Sequence, residues 1–501
     1  MRFSAFTALV VAILLCAPMS RAEESDTTVA TYHADEARSG HYVVPGLTWA
    51  RAADFRRDPA FDGHVPGRVY AQPLYWRPAG AARGVVIVAT EDNVVVALDA
   101  FTGTTVWQSR LGPAVPLAKL ECGNIDPLGI TGTPVIDQRT GALYLDAMVD
   151  GDKGPRHLVF GLSLADGAVL PGWPVDTAKS LHAIGMTFNA RAQGERGALT
   201  LAGDKLYVPY GGHFGECGDY RGWVVGLNLD KPAAFAAWRT PVKMAGIWAP
   251  GGIAFDGSHL FAAVGHTLSD SERWNGANSV IRLPPDLHWR PEPADFFAPA
   301  DWFELNRRYH VLAYNNPLAI DLPGGGPGSA LLLALDKNGK AYLLDRANLG
   351  GVGHPVLAQQ VGESGLLVNT SPAAWRMDRD IMVAFPGFRS TFPGVAVAGC
   401  GVMALRISGG AQPAIKTAWC ANLYGQGAPI VTTSDARADP IVWIVGAEGD
   451  QELHGFRGDT GQEVFTSGKL DGLGHYVTIL AAAGRLYFAG DGQIFAFGPA
   501  R

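Results

Sequence analysis

Val85 to Trp107 reads VVIVATEDNVVVALDAFTGTTVW. Two apolar, Val-rich runs, VVIVA and VVVAL, are separated by the polar stretch Thr90-Glu91-Asp92-Asn93. A second turn, Asp99 to Thr104, leads into a third run that ends on Trp107. Short β-branched runs bounded by turn residues read as strands. In the second turn Asp99 and Thr102 can bond the turn amides, and Gly103 suits a positive φ. Trp107 offers a large ring to whatever packs beside the sheet. Residues 486–497 (LYFAGDGQIFAF) give another such strand pair, and long stretches with apolar residues at helical spacing are hard to find. The chain reads as all-β. At 501 residues it is too long for one sandwich, so the unit should recur.

It does recur. A short strand opening on a small or polar residue plus Pro appears at Pro73, Pro134, Pro250, Pro317, Pro372 and Pro429, with degenerate copies near Gly197 and Val477. The steps are 61, 63, 53, 67, 55, 57 and 48 residues. A second strand follows each opening, and in most units a third strand and a turn. About four strands per unit is one blade of a propeller. Eight openings predict an eight-bladed β-propeller of four-stranded blades; seven blades, with one unit an insertion, is the alternative count. Only 24 residues follow Val477, too few for a whole blade. The segment Ala53 to Gly63 is the natural donor of the missing strand, so strands from both ends should close the ring and leave no free sheet edge.

The first 22 residues read as a signal peptide. Arg2 precedes the ten-residue apolar run Ala8 to Ala17, and Ser20-Arg21-Ala22 supplies a cleavage site before Glu23. That leaves residues 23–501 as a single propeller domain, exported to the periplasm or beyond. No later segment has the roughly 20 apolar residues of a membrane helix. Removing Arg2 and Arg21 moves the formal charge from −7 to −9. A mildly acidic chain without basic runs argues against nucleic acid as a partner. Four cysteines remain: Cys122, Cys217, Cys400 and Cys420. An even count in an oxidising compartment favours two disulfides, and three pairings are possible. Cys400 and Cys420 fall on what read as neighbouring strands of one unit. Cys122 precedes the second opening and Cys217 lies in the third unit, so their loops can meet over one channel mouth. The expected bonds are Cys400–Cys420 and Cys122–Cys217.

ALDAFTGTTVW (97–107) resembles the PQQ-repeat motif, in which a turn of AxTG type precedes a docking Trp. GLSLADGAVLPGW (161–173), GFRGDTGQEVF (455–465) and KNGKAYLLDRANLGG (337–351) are similar to other forms of it. The likeness to the quinoprotein alcohol dehydrogenase-like propellers covers nearly all of residues 30–501. It implies the propeller fold, but not one activity, because such propellers include dehydrogenases and non-catalytic scaffolds. In the dehydrogenases the channel holds pyrroloquinoline quinone (PQQ) with calcium, between a Trp and a pair of adjacent, disulfide-linked cysteines. Here Glu121-Cys122-Gly123 stands in a similar place, with one cysteine, so the chain is not expected to hold PQQ as those dehydrogenases do, and PQQ with calcium is kept only as an alternative.

Residues beside the openings should line the channel. They are Gln72, Thr133, Arg191, Trp248, Asn316, Ser371, Gln426 and His475. Trp248 can stack on a planar ligand or plug the channel. Arg191 can pair a carboxylate or a channel acid. His475 can act as a base or serve as a structural histidine. Oxygen ligands for a hard metal ion would have to come from Asn316 and from loop acids such as Glu121, Asp126 or Glu363. The function expected is an exported, monomeric binding module, taking a small molecule in the channel or a protein on a face, without recognisable catalytic machinery. The alternatives are a periplasmic PQQ-dependent oxidoreductase and, third, a hydrolase or lyase using His475 with acids of the channel loops.

Overall fold

A computed structural model describes residues 27–326, 328–362, 370–390, 399–410 and 412–500; the proposed signal peptide and Glu363 lie outside them. The chain forms eight antiparallel blades around a channel, as the repeat count predicts. The innermost strands are Leu74–Trp76, Val135–Asp137, Thr200–Ala202, Ala254–Phe255, Leu318–Asp321, Ala373–Met377, Ile430–Thr433 and Leu480–Ala482, opening blades 1 to 8 in order. The middle strands are apolar on both faces, and Val94 to Leu98 are all buried. That is why they read as continuous runs rather than alternations: both faces of each blade meet a neighbouring blade. The apolar clusters accordingly lie between successive blades, and one cluster unites blades 7, 8 and 1 across the closure.

The turn of the opening motif behaves as its residues suggest. Asp99 Oδ1 accepts from Phe101 N at 2.9 Å and Thr102 N at 2.8 Å, and Gly103 has a φ of 72°. Trp107 Nε1 donates to Leu164 O of blade 2 at 2.9 Å. Trp419 of blade 6 bonds Gly458 O of blade 7 at 2.8 Å in the same way. Blade 8 takes its fourth strand from Phe55–Arg57, which pairs with Phe497–Pro499. Both expected disulfides are present, with Cα separations of 6.0 Å for Cys122–Cys217 and 5.6 Å for Cys400–Cys420. The Pro- and aromatic-rich segment 284–309 supplies the outer strand Phe296–Ala298 of blade 4 and the short helix Trp302–Arg307.

Residues 29–44 form a strap that bonds blade after blade. Val29 bridges to Tyr75 of blade 1, and Ala30 O accepts from Ile136 N of blade 2 at 2.8 Å. Glu36 O, Ser39 O and Gly40 O accept from Phe255 N, Ala374 N and Val431 N of blades 4, 6 and 7. Tyr32 Oη lies 3.2 Å from Thr478 Oγ1 of blade 8. Arg38 is fully buried and donates to Thr31 Oγ1, Tyr32 O, Leu199 O, Thr200 Oγ1 and Ile253 O, which adds blade 3. Burial lowers its pKa to about 10. His41–Val43 finally pairs in parallel with Val431–Thr433.

Candidate functional site

Trp248 anchors the channel mouth. Met244 and Ala245 both have left-handed backbones, and Ala245 N donates to His266 O at 2.6 Å. The turn brings Trp248 down on backbone: a Cβ on Gly246 would lie 2.4 Å from the ring, and one on Gly265 2.5 Å from it. Only glycine lets the ring sit there. Trp248 is 6% exposed, its Nε1 is buried without a hydrogen-bond partner, and it lines a cavity of about 610 Å³.

Two cations share that cavity. Arg196 Nε donates to Trp248 O at 2.9 Å and its Nη1 to Tyr476 Oη at 2.5 Å. Lys337 Nζ lies 4.0 Å from the centre of the Tyr314 ring, and burial holds its pKa below the ordinary lysine range. The acids of the cavity are engaged by histidines. Glu216 Oε2 is 2.8 Å from His266 Nε2, and Glu448 Oε1 is 2.6 Å from His475 Nδ1. Four cavity residues with side chains, Glu216, Tyr309, Glu448 and Tyr476, have positive φ. Such strain persists only where the surroundings enforce it.

Two smaller cavities adjoin. One of about 280 Å³ shares Asn124, Glu448 and His475 with the first and is lined further by Arg68, Tyr70 and Asp491. The other, about 40 Å³, reaches Glu195, whose two carboxylate oxygens are buried without a hydrogen-bond partner. Burial, with Asp146 and Glu91 near, holds Glu195 well above the usual carboxylate range. Behind it Asp146 Oδ1 lies 2.6 Å from His157 Nδ1, and Tyr210 Oη donates to Asp146 Oδ2 at 2.9 Å. Burial opposes the charge on His157, but Asp146 outweighs it and raises the pKa. His213, on the shared wall, is pushed down to about 4 by burial.

Of the residues beside the openings, Trp248, Gln426 and His475 line the mouth cavity. Gln72, Thr133, Asn316 and Ser371 are buried in the throat below it. There Gln72 Oε1 accepts from His33 N at 3.0 Å, Gln72 N donates to Thr133 Oγ1 at 2.9 Å, and Ser371 Oγ donates to Asn316 Oδ1. The strap bonds Ala374, Val431 and Thr478, each further along its blade than the cavity residues Thr370, Gln426 and Tyr476. Strap and cavity thus occupy successive depths of one channel. Arg191 is exposed on a loop; the arginine at the cavity is Arg196. The third opening is degenerate; the residue immediately before Gly197 is Arg196, five positions after Arg191. Lys337 stands in the KNGK motif, and Tyr476 directly follows His475.

Among the described residues the oxygen set for a hard metal ion does not assemble; Glu363 lies outside them. Glu121 Oε1 accepts from Asn189 Nδ2 at 3.0 Å and Asp126 Oδ1 from Leu117 N at 3.0 Å, while Asn316 is in the throat. Among the described residues there is no group of three or more His, Cys, Asp or Glu that could hold a metal ion.

A PQQ-repeat family model, described as outer membrane protein assembly factor BamB, matches residues 57–118 and 77–187. No curated protein matches the sequence. Among solved structures, the quinohemoprotein alcohol dehydrogenase of Comamonas testosteroni is similar at a TM-score of 0.59 and 16% identity, over 96% of this chain and 82% of that one. A quinohemoprotein alcohol dehydrogenase of Pseudomonas putida gives 0.61 and 13%, over 94% and 80%. A europium-containing methanol dehydrogenase gives 0.59 and 16%, over 92% and 89%. At such identities the likeness is one of fold. Repeat, match and fold agree on the class, an eight-bladed β-propeller. More particularly, it is a propeller whose first blades, within residues 57–187, are similar to the PQQ repeat.

Proposed function

We propose that this protein is an exported binding propeller whose channel mouth takes a carboxylate-bearing ring compound. The observation that carries the reading is Trp248 held against Gly246 and Gly265, with Arg196 and Lys337 beside it in one 610 Å³ cavity. An aromatic floor takes a flat face. Arg196, bonded to Trp248 O and Tyr476 Oη and near Glu195, and Lys337, over the Tyr314 ring and near Glu216, offer further N–H groups to a ligand carboxylate. PQQ, a planar tricarboxylate, fits these groups: Trp248 would take one face, and Arg196 and Lys337 its carboxylates. When bound it supplies a quinone that accepts two electrons. For the calcium ion that accompanies it in the dehydrogenases, the described residues gather no group of three or more His, Cys, Asp or Glu; binding is therefore the first reading, with dehydrogenation the outcome that calcium-dependent turnover would reveal. A protein partner on a propeller face is the second reading, and it rests on the partial match to the model described as BamB.

The test is a titration with PQQ, with and without Ca²⁺, following tryptophan fluorescence and dye-linked alcohol oxidation. We expect micromolar or tighter quenching, abolished by Trp248→Ala and weakened at least about tenfold by Lys337→Ala, roughly one charged hydrogen bond's worth. Calcium-dependent turnover would favour the oxidoreductase, and no quenching would end the binding reading. Export to the periplasm or beyond belongs to the same proposal. The two disulfides fit an oxidising compartment, and mass spectrometry of the mature protein should find Glu23 at its N-terminus.

A further inference from the structure

Two consecutive residues of blade 8 put chemistry on the cavity wall that binding alone does not use. They lie in the turn before the strand Leu480–Ala482, where Tyr476 takes a φ of 66°. His475 and Tyr476 both line the mouth, their rings 4.5 Å apart and perpendicular. Glu448 reaches across from blade 7 with its Oε1 2.6 Å from His475 Nδ1. An ionised carboxylate only accepts, so the neutral imidazole carries its proton on Nδ1 and its lone pair on Nε2. Tyr70 stacks on the ring at 5.1 Å and fixes its plane. Arg196 Nη1 donates to Tyr476 Oη at 2.5 Å. A guanidinium cannot accept, so the phenol keeps its own proton to give. An oriented base and an oriented acid thus stand beside two cations.

Resting on the carboxylate-binding reading above, we infer that the mouth catalyses β-elimination from a carboxylate bearing an alkoxy group on its β-carbon, the arrangement in a glycosidically linked uronic acid. Arg196 and Lys337 take the carboxylate and stabilise the charge that builds on it when the α-proton leaves. His475 Nε2 accepts that proton. The C–H electron pair becomes the carbon–carbon double bond, and the β-carbon–oxygen bond breaks with its pair on oxygen. Tyr476 protonates the departing alcohol, and His475 returns a proton to Tyr476. The step balances without oxidant or reductant. The site also suits an oligomer. The cavity continues past His475 into the 280 Å³ space, where Tyr70 offers a further ring and Arg68 faces Asp491 at 3.8 Å. The bond to be broken lies where the two cavities meet.

The experiment incubates the full chain with oligogalacturonate or oligomannuronate and reads the ultraviolet absorbance of the conjugated carboxylate. Tryptophan fluorescence reports binding of the same oligomers, and PQQ quenching reports the integrity of the mouth in each variant. We expect turnover that His475→Ala lowers at least about 100-fold. Tyr476→Phe should lower kcat with little change in KM. Glu448→Gln, which alters a positioning residue, should shift the pH–rate profile rather than KM. Quenching by the oligomers without any conjugated product overturns the acid–base assignment and leaves the binding reading standing. Turnover undiminished in His475→Ala also overturns it. No quenching by the oligomers or by PQQ removes both.

Discussion

Glu91 is 1% exposed and accepts from Gly129 N at 2.6 Å and Thr131 Oγ1 at 2.8 Å. Burial pushes its pKa up to about 7, against 4.5 for a free carboxyl. Between those values the folded protein holds a proton that the unfolded chain has lost. Its contribution to stability is therefore full at low pH, falls as pH rises through that window, and is flat above it. His33 acts in the opposite sense. Burial lowers it to about 3 from 6.5, so the unfolded chain binds the extra proton, and the contribution of His33 grows with pH across that range. Glu91→Gln separates the two. We expect its stability relative to wild type to improve between about pH 5 and about pH 8, by an amount on the order of 1–3 kcal/mol, measured by urea unfolding at both. An unchanged difference would mean that Glu91 is ionised in the fold. At this scale the sequence was legible where chemistry is local: Asp99, Thr102, Gly103 and Trp107 do what their types suggest. Arg196 and the Glu195 network were not legible, because their partners sit on other blades and meet only when the blades pack.

The loops of the mouth are held by a bond rather than by a sheet. Cys122–Cys217 joins the loop after blade 1 to the loop within blade 3, and Gly215 lies against Cys122, a Cβ there being 3.3 Å from its Sγ. His213, Phe214 and Glu216 of the second loop line the cavity, Phe214 with 66% of its surface exposed. Replacing Cys122 and Cys217 by Ser should leave the far-ultraviolet circular dichroism unchanged and weaken PQQ quenching at least about tenfold, since a restraint worth roughly 2–4 kcal/mol is lost beside the ligand. The matching change at Cys400 and Cys420, on adjacent strands of blade 6, should leave quenching as it was. Equal effects from both pairs would show that the first has no special hold on the mouth. Strands and pairings could be read from the repeat, because each unit states its own pattern. The cavity wall could not, because loops carry no period, and the segment 284–309 gave no sign that it would become the outer strand of blade 4.

For the whole molecule, closure has two parts that differ in visibility. The strand Phe55–Arg57 was foreseeable, since a blade short of a strand needs a donor. The strap was not: TYHADEARSG (31–40) has no periodicity, and its partners are spread from Tyr75 to Thr478. Arg38 tests its weight. Arg38→Met keeps the length of the side chain but leaves three carbonyls and two hydroxyls with one donor fewer each. Stability should fall by roughly 3 kcal/mol or more, seen as a lower melting temperature and faster proteolysis. A variant that melts like the wild type would show that the strap adds little to closure.

Tyr32 leaves the ribosome long before its partner Thr478, 446 positions further on. The strap must therefore wait until the last blade exists, and the hub of the ring is set at the end of assembly. A chain that crosses a membrane as an extended thread meets this order without conflict.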